Sequence, residues 1–327
     1  MHSQKLIKAG IVGGTGYTAG ELIRILLYHP FVEIIFVTSQ SLQGTSVSEV
    51  HRDLVGDTDL KFQEWAQSCD VIFLCLPHGE SKNWLRDNEK RISDKVKIID
   101  LGNDFRVDEK WHDKKFVYGL CEFNKEKIMK SSYIANPGCF ATAIQLGILP
   151  VLGEEKIEEI SGVGITGATG AGKALHQTSH FNWRNNNISP YKTFTHQHMA
   201  EIEKNVSKMS EIATKINFVP WRGDFTRGIF VSLTFSAKKN LAELNEIYKY
   251  TYKYSKFVFV SAGPIDLKQV INTNKALIYI EKAGEKVAVH VAIDNLLKGA
   301  SGQAVQNMNL IFGLEEKSGL NLKSSVF

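Results

Sequence analysis

Lys5-Leu6-Ile7-Lys8-Ala9-Gly10-Ile11-Val12-Gly13-Gly14-Thr15-Gly16-Tyr17-Thr18-Ala19-Gly20-Glu21-Leu22-Ile23-Arg24-Ile25-Leu26-Leu27 is the stretch that decides the fold. Its first eight residues form an apolar run of strand length, and its last seven carry the apolar spacing of a helix. Between them, Gly13 and Gly16 with Ala19 make a G-x-x-G-x-x-A variant of the dinucleotide fingerprint. Small residues there let the backbone approach a pyrophosphate, and the helix that follows presents its amide N–H groups to it.

Further strands are expected at residues 32–38, at 71–76 ending on Pro77, and at 96–101 ending on Gly102. Strands alternating with helical stretches imply a parallel sheet wound with helices. A new pattern starts at Asn136-Pro137-Gly138-Cys139, where a Pro-Gly break precedes an apolar helix over 140–151. This sets the domain border: a dinucleotide-binding domain over 1–138 and a catalytic and substrate domain over 139–300. Beyond a glycine-rich segment at 162–172, the β-like runs at 228–235, 257–260, 276–280 and 287–293 suggest a mixed or antiparallel sheet. Residues 301–312 read as a closing helix. The fold class is α/β, a Rossmann-type domain followed by an α+β catalytic domain.

The 327 residues exceed the size of a single growing core, which agrees with two domains. A hydrophobic fraction of 43% and a charged fraction of 23% are ordinary for a globular protein and exclude a disordered or fibrous chain. The net charge of +4 is spread without basic runs, so no nucleic-acid partner is expected. No apolar run reaches the ~18–20 residues that span a bilayer, and a cytoplasmic location without membrane association is expected. Four cysteines without paired spacing suit a reducing compartment and thiol chemistry.

Among those cysteines, Cys139 stands at the first turn of an apolar helix, where unpaired amides and the helix dipole favour a thiolate. Cys75 and Cys69 read as structural, and Cys121 falls on an expected loop. His196 and His198 stand just before a helix start and offer an acid/base group, while no third ligand suggests a metal. The end of the second strand reads Thr38-Ser39-Gln40-Ser41, with no carboxylate to repel a 2′-phosphate, which favours NADP(H) over NAD. Arg106 and Arg227 are candidates for holding a phosphate, or equally for structural ion pairs.

These segments resemble the N-acetyl-γ-glutamyl-phosphate reductases of arginine biosynthesis over nearly the whole chain. The matching residues are 13–21, Leu76-Pro77-His78-Gly79, residues 100–106, Tyr118-Gly119-Leu120-Cys121-Glu122, Asn136-Pro137-Gly138-Cys139, His196-x-His198-x-x-Glu201-Ile202 and residues 294–306. The resemblance implies NADPH-dependent reduction of an N-acyl-γ-glutamyl phosphate to N-acylglutamate 5-semialdehyde and phosphate through a cysteine thioester. It makes Cys139 the nucleophile and gives acid/base work to the His196 and His198 pair. It also implies cofactor contacts at Gly13, Thr15, Gly16, Tyr17, Thr18, Ser39, Ser41, Pro77, Asn295 and Gln303, with the 295–306 segment beside the nicotinamide. Residues 301–327 would complete the first domain, and the protein would be a homo-oligomer, a dimer or a tetramer.

Three positions depart from the family. Gln40 stands where a basic residue is common, Cys121 where proline is common, and Trp221-Arg222 where histidine often follows Pro220. The extra cation Arg222 is expected to meet a carboxylate of the substrate, such as that of an N-succinyl group. Aspartate-semialdehyde dehydrogenase and a non-catalytic nucleotide-sensing protein on the same scaffold are the alternatives.

Overall fold

The computed structural model describes residues 5–65 and 68–325. The chain divides into two compact units: the residues up to Pro137 with Ala300–Asn321, and Gly138–Gly299 with the residues from Leu322.

In the first unit, β1 (Ile7–Val12) runs through the glycine turn into α1 (Tyr17–Leu27), and β2 (Val32–Val37) follows. After the short α2 (Val47–Val50) come β3 (Val71–Leu74), α3 (Glu80–Asn88) and β4 (Lys97–Asp100). A two-stranded hairpin, β5 (Lys110–Trp111) with β6 (Lys114–Lys115), precedes β7 (Val117–Tyr118), α4 (Cys121–Met129) and β8 (Tyr133–Ala135). Among the described residues, six strands form an all-parallel sheet in the order β2-β1-β3-β4-β8-β7. β3 is buried at every position, as a strand covered on both faces must be. Placing Cys121 in the first turn of α4 corrects the loop expected there.

The second unit opens with α5 (Cys139–Leu152), every residue of which after Cys139 is buried. It lies on a mixed sheet ordered β10-β11-β9-β12-β15-β14-β13. These strands are β9 (Glu159–Thr166), β10 (Ser189–Pro190), β11 (Lys215–Arg222), β12 (Ile229–Ser236), β13 (Val258–Val260), β14 (Ala276–Ala283) and β15 (Lys286–Ile293). Helices α6 (Phe181–Arg184), α7 (Met199–Met209) and α8 (Leu241–Tyr252) complete this unit, while α9 (Ser301–Ile311) belongs to the first.

Two local features let α5 sit so deep. Gly164 faces it: a Cβ there would lie 2.5 Å from Phe140 and 3.0 Å from Phe218, so glycine is what brings helix and sheet together. Pro150, inside α5, cannot donate to the Leu146 carbonyl. The Tyr252 hydroxyl of α8 donates to it instead, and the Tyr248 hydroxyl donates to Gly147. Along β9 the burial alternates, with Glu159, Ser161 and Val163 pointing away from α5. That outer face also carries Phe259 at 43% exposure and Val163 at 47%. A depression of about 470 Å³ on it, lined by Lys156, Glu159, Ser161, Thr234, Ser236 and Lys286 among others, contains none of the candidate site residues.

Candidate functional site

The candidate residues fall into two groups, one in each unit. In the first unit Gly13 adopts φ +82°, a left-handed conformation open to glycine, and a Cβ on it would lie 2.7 Å from the Cys75 carbonyl. Its N–H donates to Thr38 Oγ1 at 3.3 Å and that of Gly14 to the Thr38 carbonyl at 2.8 Å, tying the turn to the end of β2. The buried His51 ring lies 2.7 Å from the Gly14 carbonyl and steadies the loop from beneath.

Gly16 is the N-cap of α1, with no side chain capping it, no acid in the first turn and nothing within 4 Å of where a Cβ would stand. Thr15, Tyr17 and Thr18 surround that open helix end. An uncapped N-terminus with free space is the cradle a pyrophosphate needs, so these residues fit a dinucleotide. Ser39 and Ser41 lie just past β2, and Pro77 is exposed in the loop between β3 and α3.

Two candidates in this unit are already engaged. Arg106 is buried, with Nε donating to the Asn136 carbonyl at 2.8 Å and Nη2 to that of Leu101 at 3.0 Å. Through these bonds it staples two strand ends. Gln303, fully buried in α9, donates through Nε2 to the Gly119 carbonyl at 2.6 Å and to Cys121 Sγ at 3.1 Å. Its amide nitrogen therefore holds α9 against α4, while Oε1 is buried without a hydrogen-bond partner among the described residues.

Four cysteines can be ranked physically. Cys121 is buried and donates to Asn307 at 3.1 Å. Burial, then the charge of Asp70, pushes the Cys69 thiol up to about 11, and burial with Asp100 raises that of Cys75 further still. Cys139 is partly accessible and occupies the first position of α5, after the N-cap Gly138. The helix ladder begins only with Thr142 N–H on the Gly138 carbonyl, so the first-turn amides point out of it beside the thiol.

Around Cys139 the second unit assembles residues distant in sequence. The Gly138 N–H donates to Glu201 Oε2 of α7 at 3.2 Å. The His198 ring packs onto Gly138 so tightly that a Cβ there would lie 2.4 Å from Nε2. Gly299 closes the other side, where a Cβ would lie 2.8 Å from that of Cys139. His196 meets His198 edge-on at 4.6 Å and is enclosed by Phe140, Tyr191 and Phe218. Its Nδ1 accepts the His198 backbone N–H at 3.2 Å, which leaves the proton of a neutral ring on Nε2. Burial, with Lys192 and Arg222 adding positive charge, brings His196 down to about 4, so it is uncharged at neutral pH.

The Arg222 guanidinium lies over the Tyr191 ring, 4.6 Å from its centroid. Burial first, and then Cys139, raise the Tyr191 pKa. Arg222 Nε is buried without a hydrogen-bond partner among the described residues.

Arg227 and Asn295 each have partners within this unit. Nε and Nη2 of Arg227 both meet the fully buried Asp294 carboxylate at 3.1 Å, the ion pair that was one of its two expected roles. Asp294 also accepts from the amides of Asn272, Leu296 and Leu297. Asn295 is consumed at both ends, accepting from Gly228 N–H at 2.7 Å and donating to Thr169 at 3.0 Å. Both residues thus shape the turn that brings Gly299 against Cys139.

Family models describe this division. Residues 8–131 match "Semialdehyde dehydrogenase, NAD binding domain" and residues 139–295 match "Semialdehyde dehydrogenase, dimerisation domain". Proteins of Christiangramia forsetii and Parabacteroides distasonis, both named N-acetyl-gamma-glutamyl-phosphate reductase, are 50% and 49% identical to this chain over 98% of its length and 100% of theirs. The chain belongs to that reductase family. Its fold is shared with aspartate semialdehyde dehydrogenase II of Vibrio cholerae, at a TM-score of 0.73 and 16% identity over 94% of this chain and 99% of that one. A Candida albicans aspartate semialdehyde dehydrogenase structure with NADP aligns at a TM-score of 0.67 and 14% identity, covering 96% and 99%. Against relatives near 50% identity, the expected alternative of aspartate-semialdehyde chemistry falls to a likeness of fold.

Sequence reasoning missed Tyr191 and Glu201 as members of the Cys139 cluster. Glu201 lay inside a quoted motif without a role, and its three-residue spacing from His198 was the available signal. Nothing in the linear sequence marked Tyr191.

Proposed function

We propose that the chain reduces an N-acyl-γ-glutamyl phosphate to N-acylglutamate 5-semialdehyde and phosphate, with NADPH, in arginine biosynthesis. The observation that carries this reading is Cys139 at the first position of α5 with the His198 imidazole against the preceding glycine. His198 accepts the thiol proton of Cys139, and the thiolate attacks the acyl carbon. The C–S bond forms as the C–O bond to phosphate breaks, and the imidazolium returns its proton to the departing phosphate. Bound NADPH supplies the hydride that reduces the resulting thioester. First-turn amides of α5 stabilise the oxyanion, and its collapse releases the aldehyde and restores the Cys139 thiolate. His196, neutral and protonated on Nε2, acts as a fixed hydrogen-bond donor rather than a base.

Gly13, Thr15, Gly16, Tyr17 and Thr18 would hold the cofactor pyrophosphate, and Ser39 and Ser41 the 2′-phosphate. The unpartnered Nε of Arg222 supports its reading as the contact for a substrate carboxylate, which an N-succinyl group would supply. Equal turnover of both acyl substrates by wild type and Arg222→Ala would sink that part. The outer face of the second unit's sheet, with Val163 and Phe259 exposed, supports homo-oligomer formation through it. Monomeric sedimentation of the wild type would overturn this. Among the described residues no helix is long and apolar enough to cross a membrane, in keeping with a cytoplasmic enzyme.

The decisive test is phosphate-dependent NADP reduction with N-acetyl- and N-succinylglutamate semialdehyde, wild type against Cys139→Ser. Activity lost in the variant supports reaction and nucleophile together; a wild type inactive on both substrates refutes the proposal.

A further inference from the structure

Arg184, at the end of α6, is 6% exposed and has no carboxylate among its hydrogen-bond partners. Its guanidinium instead collects backbone carbonyls. Nε and Nη2 donate to Thr178 at 3.3 and 3.1 Å, and Nη1 to Asn187 at 3.2 Å and to Arg222 at 2.8 Å. Nη2 also reaches Ser189 Oγ at 3.1 Å. All three nitrogens are used, and the groups they hold come from the turn before α6, from the approach to β10 and from the end of β11.

The geometry matters because β10 is short. It pairs with β11 through Ser189 with Arg222 and Pro190 with Trp221, and Pro190 has no N–H to donate. The chain beyond it keeps to β11 through Tyr191 N–H on the Pro220 carbonyl at 3.0 Å and Phe194 N–H on that of Phe218 at 3.1 Å. One residue past Pro190 stands Tyr191, whose ring lies under the Arg222 guanidinium. A second tie, Asn186 N–H to Asp224 at 2.6 Å, anchors the same loop independently. Arg184 therefore fixes both the backbone of Arg222 and the strand that delivers Tyr191.

We propose that Arg184 is a positioning residue for substrate anchorage: it holds the Arg222–Tyr191 pair in the place where a substrate carboxylate binds. This rests on the reading of Arg222 given above. Arg184 contacts neither Cys139 nor the histidines through any of these bonds, so its loss should weaken binding and spare the thiol chemistry.

The test compares wild type, Arg184→Ala, Arg184→Lys and Ser189→Ala in three readouts: KM and kcat for the semialdehyde, the Kd of N-succinylglutamate by calorimetry, and the rate of Cys139 alkylation by iodoacetamide. Arg184→Ala should raise KM and Kd about tenfold or more with kcat and alkylation within about threefold, the signature of lost ground-state binding. Arg184→Lys, a point charge without the planar fork, should recover part of the loss, and Ser189→Ala should show a smaller shift in the same direction. Should Arg184→Ala not fold, the other two variants decide. Unchanged KM and Kd overturn the proposal, as does a fall of kcat and alkylation in step with thermal stability. A wild type that binds the analogue without turning over substrate rejects the proposed reaction and leaves the anchorage to be judged by Kd.

Discussion

Gly138→Ala probes the seam between Cys139 at the start of α5, the proposed nucleophile, and His198 while altering neither side chain. Gly138 has φ −70° and ψ 154°, values that alanine adopts without strain. The added methyl would lie 2.4 Å from His198 Nε2 and 2.6 Å from Cδ2 and Cε1. Non-bonded atoms settle at about 3.5–4.0 Å, so the imidazole and the methyl must part by about 1 Å. The ring has little room to retreat, being 6% exposed and edge-on to His196. Overpacking of this kind costs about 1–3 kcal/mol, and a displacement of about 1 Å at a reacting group costs on the order of 100-fold in rate. The variant should therefore fold, melt a few degrees lower, and show kcat for phosphate-dependent NADP reduction about 100-fold down. Gly153→Ala is the matched control: it ends the same helix at φ −83°, with nothing within 4 Å of a Cβ, and should keep full activity. A folded Gly138→Ala enzyme retaining kcat within about threefold of wild type refutes the reasoning.

Arg227→Ala leaves Asp294 buried beside a missing partner and should lower stability by about 3–5 kcal/mol in denaturant titration; a loss below about 1 kcal/mol would mean the pair is not a structural clamp. Tyr252→Phe strips the Leu146 carbonyl of its donor above Pro150 and should cost about 1–3 kcal/mol, read as a shifted urea midpoint with an unchanged slope. His196 should titrate by NMR near pH 4, and Arg222→Gln should move that midpoint upward by removing one nearby cation. Since the unfolded chain protonates this histidine near 6.5, its contribution to stability is complete above that pH and is lost as pH falls toward 4. A midpoint above 6 in the wild type would contradict the burial argument.

Local pattern made most of the first unit readable, because β1, β3 and β4 are short apolar runs stopped by glycine or proline, while β7 and β8, two and three residues long, gave no such signal. The second unit was harder. β9 read as part of a glycine-rich segment, since Gly162 and Gly164 lack the side chains that signal a strand; Leu233 and Phe218 crowd the first, and Phe140 of α5 the second. Cys139 was visible from its helix start, and the histidines from their position before α7. The fates of Arg106, Arg227, Asn295 and Gln303 were not, because a charge or amide shows in sequence while its partner does not. Arg227 finds Asp294 67 residues away, and Gln303 finds Gly119 184 residues away. Tyr191 joins Cys139 through a strand pair of two residues, too brief to announce itself.

Cys139, the proposed nucleophile, stands at the start of a deeply enclosed helix. With every later residue of α5 buried, the coordinate of the sulfur is inherited from the packing of the whole second unit. Cavities or bulk introduced far from the site, at Gly147 or under Tyr248, will be transmitted along a rigid rod to its tip. Attempts to retune acyl preference should therefore leave this rod alone and vary the loop around Arg184 and Tyr191, whose conformation rests on a few hydrogen bonds rather than on the core.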